Sequence, residues 1–322
     1  MLTERPTVTV VVPTRNRSAW LTTTLRSVLG QRQVALEVIV VDEASSDDTH
    51  DVIGALGDAR VRVIRHDVPL GVSSARNRGA AEGRGDWLAF VDDDDLWAPE
   101  KMMRQIAAAE SAGRAWAYCG AVNIGEGGHI ISGRPPLDPE RVVRALRHYN
   151  AIPGGGSNVI VRRRTWLEAG PFDTRLRNTE DWEMWLRLAA RGRPACVNSP
   201  LVAYRVHTSN SSLNVAEIVR GTKLIEELHQ TTVDWGRMRR WFAESYLRRG
   251  QHAAAIVEFA RAAACGDVGA VLRDVGGILR HRVVRPPLQP VAGTASGDAW
   301  IATALIWLQD LHAGADVPSM RS

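Results

Sequence analysis

Two groups of aspartates follow short apolar runs in the first third of the chain. Asp42 comes directly after Val38–Val41, and the consecutive run Asp92–Asp95 comes directly after Leu88–Val91. Four neighbouring carboxylates repel one another, and a hard divalent cation, which prefers oxygen ligands, relieves that repulsion. The run therefore predicts a metal site that bridges phosphate groups. The alternative is a solvated acidic turn that caps the next helix, but such turns are usually flanked by polar residues rather than by apolar ones.

Arginines after the same strands can supply positive charge for phosphates. Arg76 and Asn77 fall near a predicted helix start, where backbone N–H groups also attract anions. Each arginine taken alone is more simply explained as a surface residue, and their shared placement on one edge favours the functional interpretation. The arginines that we expect on this edge are Arg15, Arg17, Arg76 and Arg78.

A third acidic pair, Glu180-Asp181, lies far downstream at the start of a predicted helix over 179–191. Trp182, Trp185 and Leu186 share one face of that helix. Two interpretations of the acidic pair stay open. Either the carboxylates complement the helix macrodipole, or one of them serves as a general base opposite the aspartate run.

The elements that must position these residues alternate between strand and helix patterns. Val8–Val12 reads as a buried parallel strand that ends at Pro13, and the helix after it has Ser18 as its expected cap. Further predicted strands cover 37–41, 61–65, 87–91 and 116–122, and further helices cover 47–56, 71–83 and 99–109. This order predicts an α/β fold with a doubly wound sheet, in which ligands bind at the carboxyl ends of the strands.

The remaining chain divides into loops and helices. Glycines and prolines between about 123 and 160 predict loops, including the run Gly154–Asn158. After about residue 215 the pattern is helical, and it ends with an amphipathic helix over 300–311. We expect two regions: a catalytic domain over 1–214 and a helical C-terminal region of unknown role over 215–322.

Composition is that of a soluble globular protein. The chain has 322 residues, 45% hydrophobic and 24% charged, with a net charge of +4. Its basic residues are dispersed, which argues against a nucleic-acid partner. No secretory leader is expected, and no apolar stretch reaches the ~20 residues that span a bilayer. The widely spaced Cys119, Cys196 and Cys265 fit buried reduced thiols rather than disulfides or a metal knuckle.

Seven motifs resemble, in order and spacing, those of family-2 inverting glycosyltransferases with the GT-A fold. They cover roughly residues 7 to 212, about two thirds of the chain, and each motif alone is weak, whereas the ordered set is specific. The motifs are Val10–Asn16, Val40–Asp47, Ala75–Gly79, Phe90–Trp97, Gly170–Asp173, Thr179–Leu188 and Tyr204–His207.

The resemblance implies a role for each matched position. Thr14, Asp42 and Arg76 correspond to the nucleoside-binding set, together with Pro13 and Asn16. A carboxylate such as Asp42 can accept the N3–H of uracil or thymine. In the aspartate run, the resemblance assigns Asp94 to the metal, Asp92 to the metal or the ribose, and Asp93 to the nucleotide. It assigns Asp181, with Glu180 beside it, to the role of catalytic base. It assigns His207 to the metal or the leaving diphosphate.

The resemblance implies an inverting enzyme of the hexosyltransferase type, with a UDP-sugar or a related nucleotide sugar as the donor. Mn²⁺ or Mg²⁺ would act as a Lewis acid on the departing diphosphate. The acceptor hydroxyl would belong to a polysaccharide, a lipid-linked sugar or a small molecule. Many relatives carry Asp and Gly where this chain has Glu43 and Ala44, so a secondary nucleoside contact is expected to differ.

The C-terminal region lies outside the resemblance. We favour a helical bundle that packs on the catalytic domain or forms a dimer contact. The alternative is peripheral membrane contact through the basic segment 280–285 and the helix over 300–311, although that helix has no lysine or arginine. The sequence thus predicts a cytoplasmic protein, with the inner face of the membrane as the alternative location, and leaves the oligomeric state open.

Two other functions compete with glycosyl transfer. A nucleotidyltransferase would need a glycine-rich basic loop after the first strand, and the segment 13–17 has no glycine. A non-catalytic nucleotide-sugar binder or scaffold of the same fold is disfavoured by the complete Asp92–Asp95 run and by Asp181.

Overall fold

A single mixed β-sheet organises the computed structural model, which describes residues 7–210, 214–283 and 295–315. The described sheet has nine strands in the order β3-β2-β1-β4-β8-β6-β9-β5, with β7 paired to β6. The strands are β1 (Thr7–Thr14), β2 (Ala35–Glu43), β3 (Val61–His66), β4 (Trp87–Phe90), β5 (Leu96–Trp97), β6 (Trp116–Ile124), β7 (Ile130–Arg134), β8 (Ile160–Arg162) and β9 (Ala195–Arg205).

The first four strands in the sheet order are parallel, as the sequence predicts. Strand β8 then runs antiparallel to both β4 and β6, and β9 returns parallel to β6. Because β1 and β4 are neighbours, the residues after their carboxyl ends meet at one edge of the sheet. The mixed α/β fold class is therefore confirmed.

Helices cover both faces of the sheet. Helices α1 (Ser18–Leu29), α2 (Thr49–Ala55), α4 (Lys101–Ser111) and α12 (Ala295–Ala315) pack on one face, and α3 (Val72–Glu82), α5 (Pro139–Leu146), α6 (Arg163–Ala169), α7 (Glu180–Arg191) and α8 (Val215–His229) pack on the other. Side chains of β1 alternate between the layers, because Val10 and Val12 face the α1 side and Val11 faces the α3 side. Both layers thus exclude water from the strands that carry the candidate site.

Three local predictions were wrong. Ser18 is the first residue of α1 rather than its cap, and the capping position is Arg17, whose side chain makes no capping bond. The region expected to be loops contains β7 and α5, the latter capped by Asp138, which accepts hydrogen bonds from two backbone N–H groups. Cys265 is exposed, whereas Cys119 is buried and Cys196 is half-buried, and all three are free thiols.

The C-terminal region forms a helical bundle and returns to the sheet. Helices α9 (Trp235–Arg248) and α10 (His252–Ala264) make a hairpin followed by α11 (Val268–Val283). Helix α12 packs on β9, where Trp307 is buried and its Nε1 donates to the Pro200 carbonyl at 3.1 Å.

One side of the last helix therefore covers the sheet, whereas Leu305 and Ile306 of the same helix are exposed. The basic segment 280–285 lies partly outside the described residues. None of the described helices is both long enough and apolar enough to cross a membrane.

Candidate active site

The four consecutive aspartates after β4 each have a different partner. Asp92 pairs with Arg76 of α3 at 2.5 Å. Asp93 accepts a hydrogen bond from the Thr14 hydroxyl at 2.7 Å. Asp94 and Asp95 turn to the segments that end β9 and precede β8, described below. The repulsion expected from four carboxylates is thus relieved partly by protein groups from four separate elements.

Burial and mutual repulsion raise the pKa values of two of these carboxyl groups. Burial, followed by the charge of Asp94, raises the pKa of Asp93 to about 8. Burial and the charges of Asp94 and Asp92 raise the pKa of Asp95 well above its usual range. Asp95 is fully buried, its Oδ2 accepts from the Ser157 hydroxyl at 2.5 Å, and its Oδ1 accepts from the backbone N–H of Arg205 at 2.9 Å. Asp95 therefore fixes the turn rather than facing a ligand.

Asp94 lies against His207, which follows β9. The His207 Nε2 is 2.8 Å from the Asp94 Oδ2, and the Arg17 Nη1 is 3.4 Å from the same oxygen and 3.1 Å from Nε2. The Arg17 Nη2 also donates to the Ser209 carbonyl at 2.8 Å. The sequence predicted Arg17 on this edge, but Arg78 lies on the exposed surface of α3, where it pairs with Glu82 at 3.1 Å.

The two ring nitrogens of His207 face different groups. With the ring proton on Nε2, the ring donates to Asp94, and Nδ1 accepts from the Ser209 backbone N–H at 3.2 Å. With the ring proton on Nδ1, Nε2 can accept from Arg17 or ligate a cation, and the Ser209 hydroxyl at 2.9 Å can accept the Nδ1 proton, but the bond from the Ser209 backbone N–H is lost. Each tautomer thus satisfies a different subset of these contacts.

The residues present fit a divalent cation that also contacts a substrate. Among the described residues, no group of three or more His, Cys, Asp or Glu side chains is arranged to hold a metal. Asp94 and His207 supply one carboxylate and one imidazole. Cations such as Mg²⁺ commonly use one or two carboxylates and complete their coordination with phosphate oxygens and water, so the pair fits a cation bound together with a diphosphate.

The nucleotide-binding candidates gather beside this acidic turn. Thr14 and Asp42 are paired in register at the ends of β1 and β2, with Pro13 opposite Val41. Asn16 has a φ of 52°, and its backbone N–H donates to the Ser45 hydroxyl at 3.0 Å. Four of the five residues that the resemblance assigned to the nucleoside therefore lie together at the carboxyl edge of two adjacent strands, and the fifth, Arg76, comes from α3.

Asp42 has partners that the sequence did not reveal. Its Oδ1 accepts from the Ser45 N–H at 2.9 Å, and its Oδ2 is held by the Arg65 guanidinium. Each carboxylate oxygen has two lone pairs, so these bonds leave acceptor capacity for a base. Arg65 comes from β3, where its spacing alone carries no signal for a site residue.

Glu43 contacts the protein rather than an open site. Its Oε1 is 2.5 Å from His66 Nδ1, and its Oε2 accepts from the backbone N–H groups of Leu70 and Gly71 at 2.7 and 2.5 Å. The longer side chain thus fastens the loop before α3. Ala44 has a φ of 55°, a conformation that favours glycine, which explains why glycine suits this position in relatives.

Arg76 joins the aspartate run to the second acidic pair. The side chain is 2% exposed, and its Nη1 bonds Glu180 at 2.7 Å while its Nη2 bonds Asp92. Burial alone would lower the pKa of Arg76, but the carboxylates of Asp92, Glu180 and Asp181 outweigh burial and raise it. Two acidic groups that are 88 residues apart in the sequence are therefore held on either side of one permanently charged guanidinium.

Asp181 combines burial with limited hydrogen bonding. Its Oδ1 accepts from the Trp182 N–H at 2.7 Å, and its Oδ2 accepts from Asn150 Nδ2 at 3.0 Å. Burial and the neighbouring Glu180 raise the pKa of Asp181 to about 7, against the opposing effect of Arg76. A carboxylate with a pKa near 7 can exist in either proton state at neutral pH, as a general base requires.

The glycine-rich run is part of the site. A side chain at Gly156 would lie 2.4 Å from Arg76 Nη2, and one at Gly155 would lie 3.3 Å from Asp181 Oδ2. Ser157 accepts from the Asp92 N–H at 3.0 Å and donates to Asp95. This segment, predicted only as a loop, therefore connects the aspartate run with Asp181.

Comparison with known proteins identifies the family of this chain. The family model described as glycosyl transferase family 2 matches residues 9–168. An uncharacterized glycosyltransferase of Haemophilus influenzae is 30% identical over 240 residues, which cover 71% of this chain and 79% of that protein. The UDP-Glc:alpha-D-GlcNAc-diphosphoundecaprenol beta-1,3-glucosyltransferase WfaP of Escherichia coli is 28% identical over 224 residues, covering 69% and 86%. The chain belongs to glycosyl transferase family 2.

Solved structures show the same fold at low sequence identity. Staphylococcus aureus TarS in complex with UDP-GlcNAc superposes with a TM-score of 0.58 and 17% identity, over 74% of this chain and 71% of that chain. The mannosyltransferase PcManGT of Pyrobaculum calidifontis, in complex with GDP-Man and Mn²⁺, gives a TM-score of 0.51 and 20% identity over 97% and 87%. The predicted GT-A fold is confirmed.

Proposed function

We propose that this glycosyltransferase is metal-dependent and inverting, and that it transfers a hexose from a UDP-sugar to an acceptor hydroxyl. The observation that carries the proposal is the buried Arg76 between Asp92 and Glu180, because it holds a candidate donor site beside a carboxylate whose pKa is near 7. UDP as the donor nucleotide is supported by the names of WfaP and of the TarS complex.

In the proposed donor complex, Asp42 accepts the N3–H of the uracil ring, and Thr14 and Asp93 stay hydrogen-bonded beside the nucleoside. Pro13, Asn16, Arg76 and Asp92 line the same edge. Asp94 and His207, with Asp92 nearby in the turn, would hold Mn²⁺ or Mg²⁺, which when bound offsets the charge of the departing diphosphate. The PcManGT complex, which contains Mn²⁺, supports the choice of metal.

Asp181 acts as the base in this proposal, and Glu180 keeps Arg76 in place. Ionised Asp181 takes the proton of the acceptor hydroxyl, and the hydroxyl oxygen forms a bond to the anomeric carbon from the face opposite the diphosphate. The bond from the anomeric carbon to the diphosphate oxygen breaks, and the electron pair leaves with UDP. One displacement of this kind inverts the anomeric configuration. The N–H of Asn150 orients Asp181 during the transfer.

The acceptor is proposed to be a saccharide of the cell envelope, free, polymeric or lipid-linked, since WfaP is named for a diphosphoundecaprenol-linked acceptor. Such an acceptor favours a cytoplasmic location at the inner face of the membrane. Under this proposal residues 7–210 contain the catalytic machinery, and the helices after residue 214 support it.

Calorimetric titration with UDP, GDP and dTDP, each with and without Mn²⁺, tests the donor assignment. We expect UDP to bind far more tightly with Mn²⁺ than without it, and Asp94→Ala to abolish that difference. Asp181→Asn should bind UDP like the wild type, because Asp181 lies on the acceptor side. If no nucleoside diphosphate binds with or without the cation, a scaffold role replaces the proposed function.

A further inference from the structure

A cavity distinct from the proposed donor site opens between the segment before α7 and the first half of α8. Its volume is about 490 Å³, which lies within the range of small-molecule sites. Its lining contains three arginines, one glutamate and two small or apolar residues: Arg175, Arg177, Arg220, Glu217, Gly221 and Leu224.

The charge of this cavity is positive overall. Arg175 pairs with Asp173 at 2.6 Å, and Arg220 pairs with Glu217 at 3.5 Å. Arg177 is exposed and has no hydrogen-bond or ion-pair partner within the part of the chain that the structure describes. A guanidinium has five N–H donors, so even the paired arginines retain donors. The cavity therefore favours an anion with several oxygen atoms.

One wall of the cavity packs directly on the start of α7. Thr179, the residue before α7, is 3% exposed, and a side chain at the lining residue Gly221 would lie 2.2 Å from its Oγ1. The wall at Gly221 is therefore in close contact with the segment that leads into Glu180 and Asp181.

The cavity lies close to the proposed base. Arg177 precedes Asp181 by four residues, so their Cα atoms are within about 14 Å even in an extended chain. Two bonds tie the same segment to α3, the helix that carries Arg76: Ser73 donates to the Leu176 carbonyl at 3.2 Å, and Asn77 donates to the Phe172 carbonyl at 2.9 Å. An anion in the cavity is thus held at a fixed distance from Asp181.

Resting on the function proposed above, we infer that this cavity binds the diphosphate of the acceptor, so that the acceptor is a sugar carried on a diphosphate. The donor diphosphate is assigned to Asp94 and His207, which do not line the cavity. Two phosphate groups match the guanidinium donors, whereas an uncharged saccharide would form no hydrogen bond with Arg177 in which both partners are charged. The attached sugar then reaches from the arginines toward Asp181.

Calorimetry with inorganic pyrophosphate in EDTA tests the site without a donor or a metal. We expect Arg177→Gln and Arg220→Gln to weaken pyrophosphate binding about tenfold or more, because each removes a charge-assisted contact. Arg164→Gln is the matched control, since Arg164 is 90% exposed and pairs with Glu168 on α6. The inference is overturned if the wild type does not bind pyrophosphate or if all three variants bind it equally.

Two further measurements distinguish failure of this inference from failure of the proposed function. UDP with Mn²⁺ should bind the cavity variants and the wild type equally. If UDP does not bind at all while pyrophosphate binding depends on Arg177, the donor site is wrong and the acceptor role of the cavity falls with it. Co-sedimentation with phosphatidylglycerol vesicles that depends on Arg177 and resists pyrophosphate would identify a lipid-headgroup site instead and overturn the acceptor assignment.

Discussion

Adding one methyl group at Gly156 should displace Arg76 and disable the site. The Cβ of alanine there would lie 2.4 Å from Nη2 and 2.9 Å from Cζ of Arg76, so the guanidinium must retreat by more than about half an ångström. Exposed arginines move easily, but Arg76 is buried and bonded to Asp92 and Glu180. Gly156→Ala therefore separates the guanidinium from at least one carboxylate.

The expected magnitude follows from two costs. Overpacking a filled site costs about 1–3 kcal/mol, and leaving one partner of a buried ion pair uncompensated costs about 3–5 kcal/mol. Because relaxation shares these costs, we expect Gly156→Ala to lower the free energy of unfolding by about 3 kcal/mol. With a urea dependence of about 3 kcal/mol per molar, the unfolding midpoint falls by about 1 M.

Urea unfolding and UDP titration with Mn²⁺ measure this effect on stability and on the site. Gly127→Ala is the control, since a Cβ at Gly127 meets nothing within 4 Å, and it should behave like the wild type. The reasoning is refuted if Gly156→Ala unfolds at the wild-type urea concentration and binds UDP with unchanged affinity.

Three other perturbations have defined outcomes. Because the pKa of Asp181 is raised to about 7, kcat should rise roughly tenfold from about pH 6 to about pH 8 as the base ionises. Asp181→Asn should lower kcat at least about a hundredfold and should flatten the pH profile. A pH profile that still rises in the variant would contradict the assignment of Asp181 as the base. The raised pKa also stabilises the fold while the carboxyl is protonated, so the contribution of this group is present below about pH 4 and is lost as pH rises to about 7. The thermal unfolding temperature of the Asn variant should therefore decline less than that of the wild type between these two pH values. Arg17→Ala should increase the affinity for Mn²⁺ several-fold, because a guanidinium 3.4 Å from Asp94 repels a cation bound there. Titration with Mn²⁺ in the absence of nucleotide measures this affinity. Weaker Mn²⁺ binding by the variant would contradict the assignment of the cation to Asp94. Trp307→Ala should destabilise the protein by about 3–5 kcal/mol, because Trp307 is buried against the sheet. Ile306→Ala is the control and should change the unfolding midpoint little, because Ile306 is 63% exposed. Equal effects of the two substitutions would show that α12 does not pack on β9.

The sequence predicted the parallel half of the sheet because that half depends on local patterns. Val8–Val12 is uninterrupted and β-branched, and it forms the buried strand β1 beside β2 and β4. The position of Asp92–Asp95 after β4 followed directly from this assignment. Strands β6, β8 and β9 pair across 43 to 81 residues in a mixed order, and no local pattern specifies such pairing.

Proton states and partners within the site could not be predicted from the motifs. The run Asp92–Asp95 looks uniform in sequence, yet Asp95 is a buried support that accepts from Ser157 and Arg205 and has a raised pKa, and Asp94 contacts His207 from 113 positions away. These differences depend on burial and on groups brought together by the fold. Arg205 lies inside the motif Tyr204–His207, so a signal for it existed, whereas Arg65 had none.

The return of the last helix to the sheet also depends on long-range packing. The amphipathic pattern over 300–311 predicted an apolar face but not its partner. Small residues on the sheet supply that partner, because a Cβ at Gly120 would lie 2.4 Å from the Trp300 ring. A glycine inside a strand marks close approach, but only the structure shows what approaches.

The central claim, inverting transfer with Asp181 as the base, is tested most directly by proton NMR of a UDP-α-hexose hydrolysed by concentrated enzyme with Mn²⁺, with water as the acceptor. We predict that the β-anomer of the free sugar appears before mutarotation, in equal amount with UDP, and that Asp181→Asn releases neither. An α-anomer as the first product, or unchanged release by Asp181→Asn, would contradict the account.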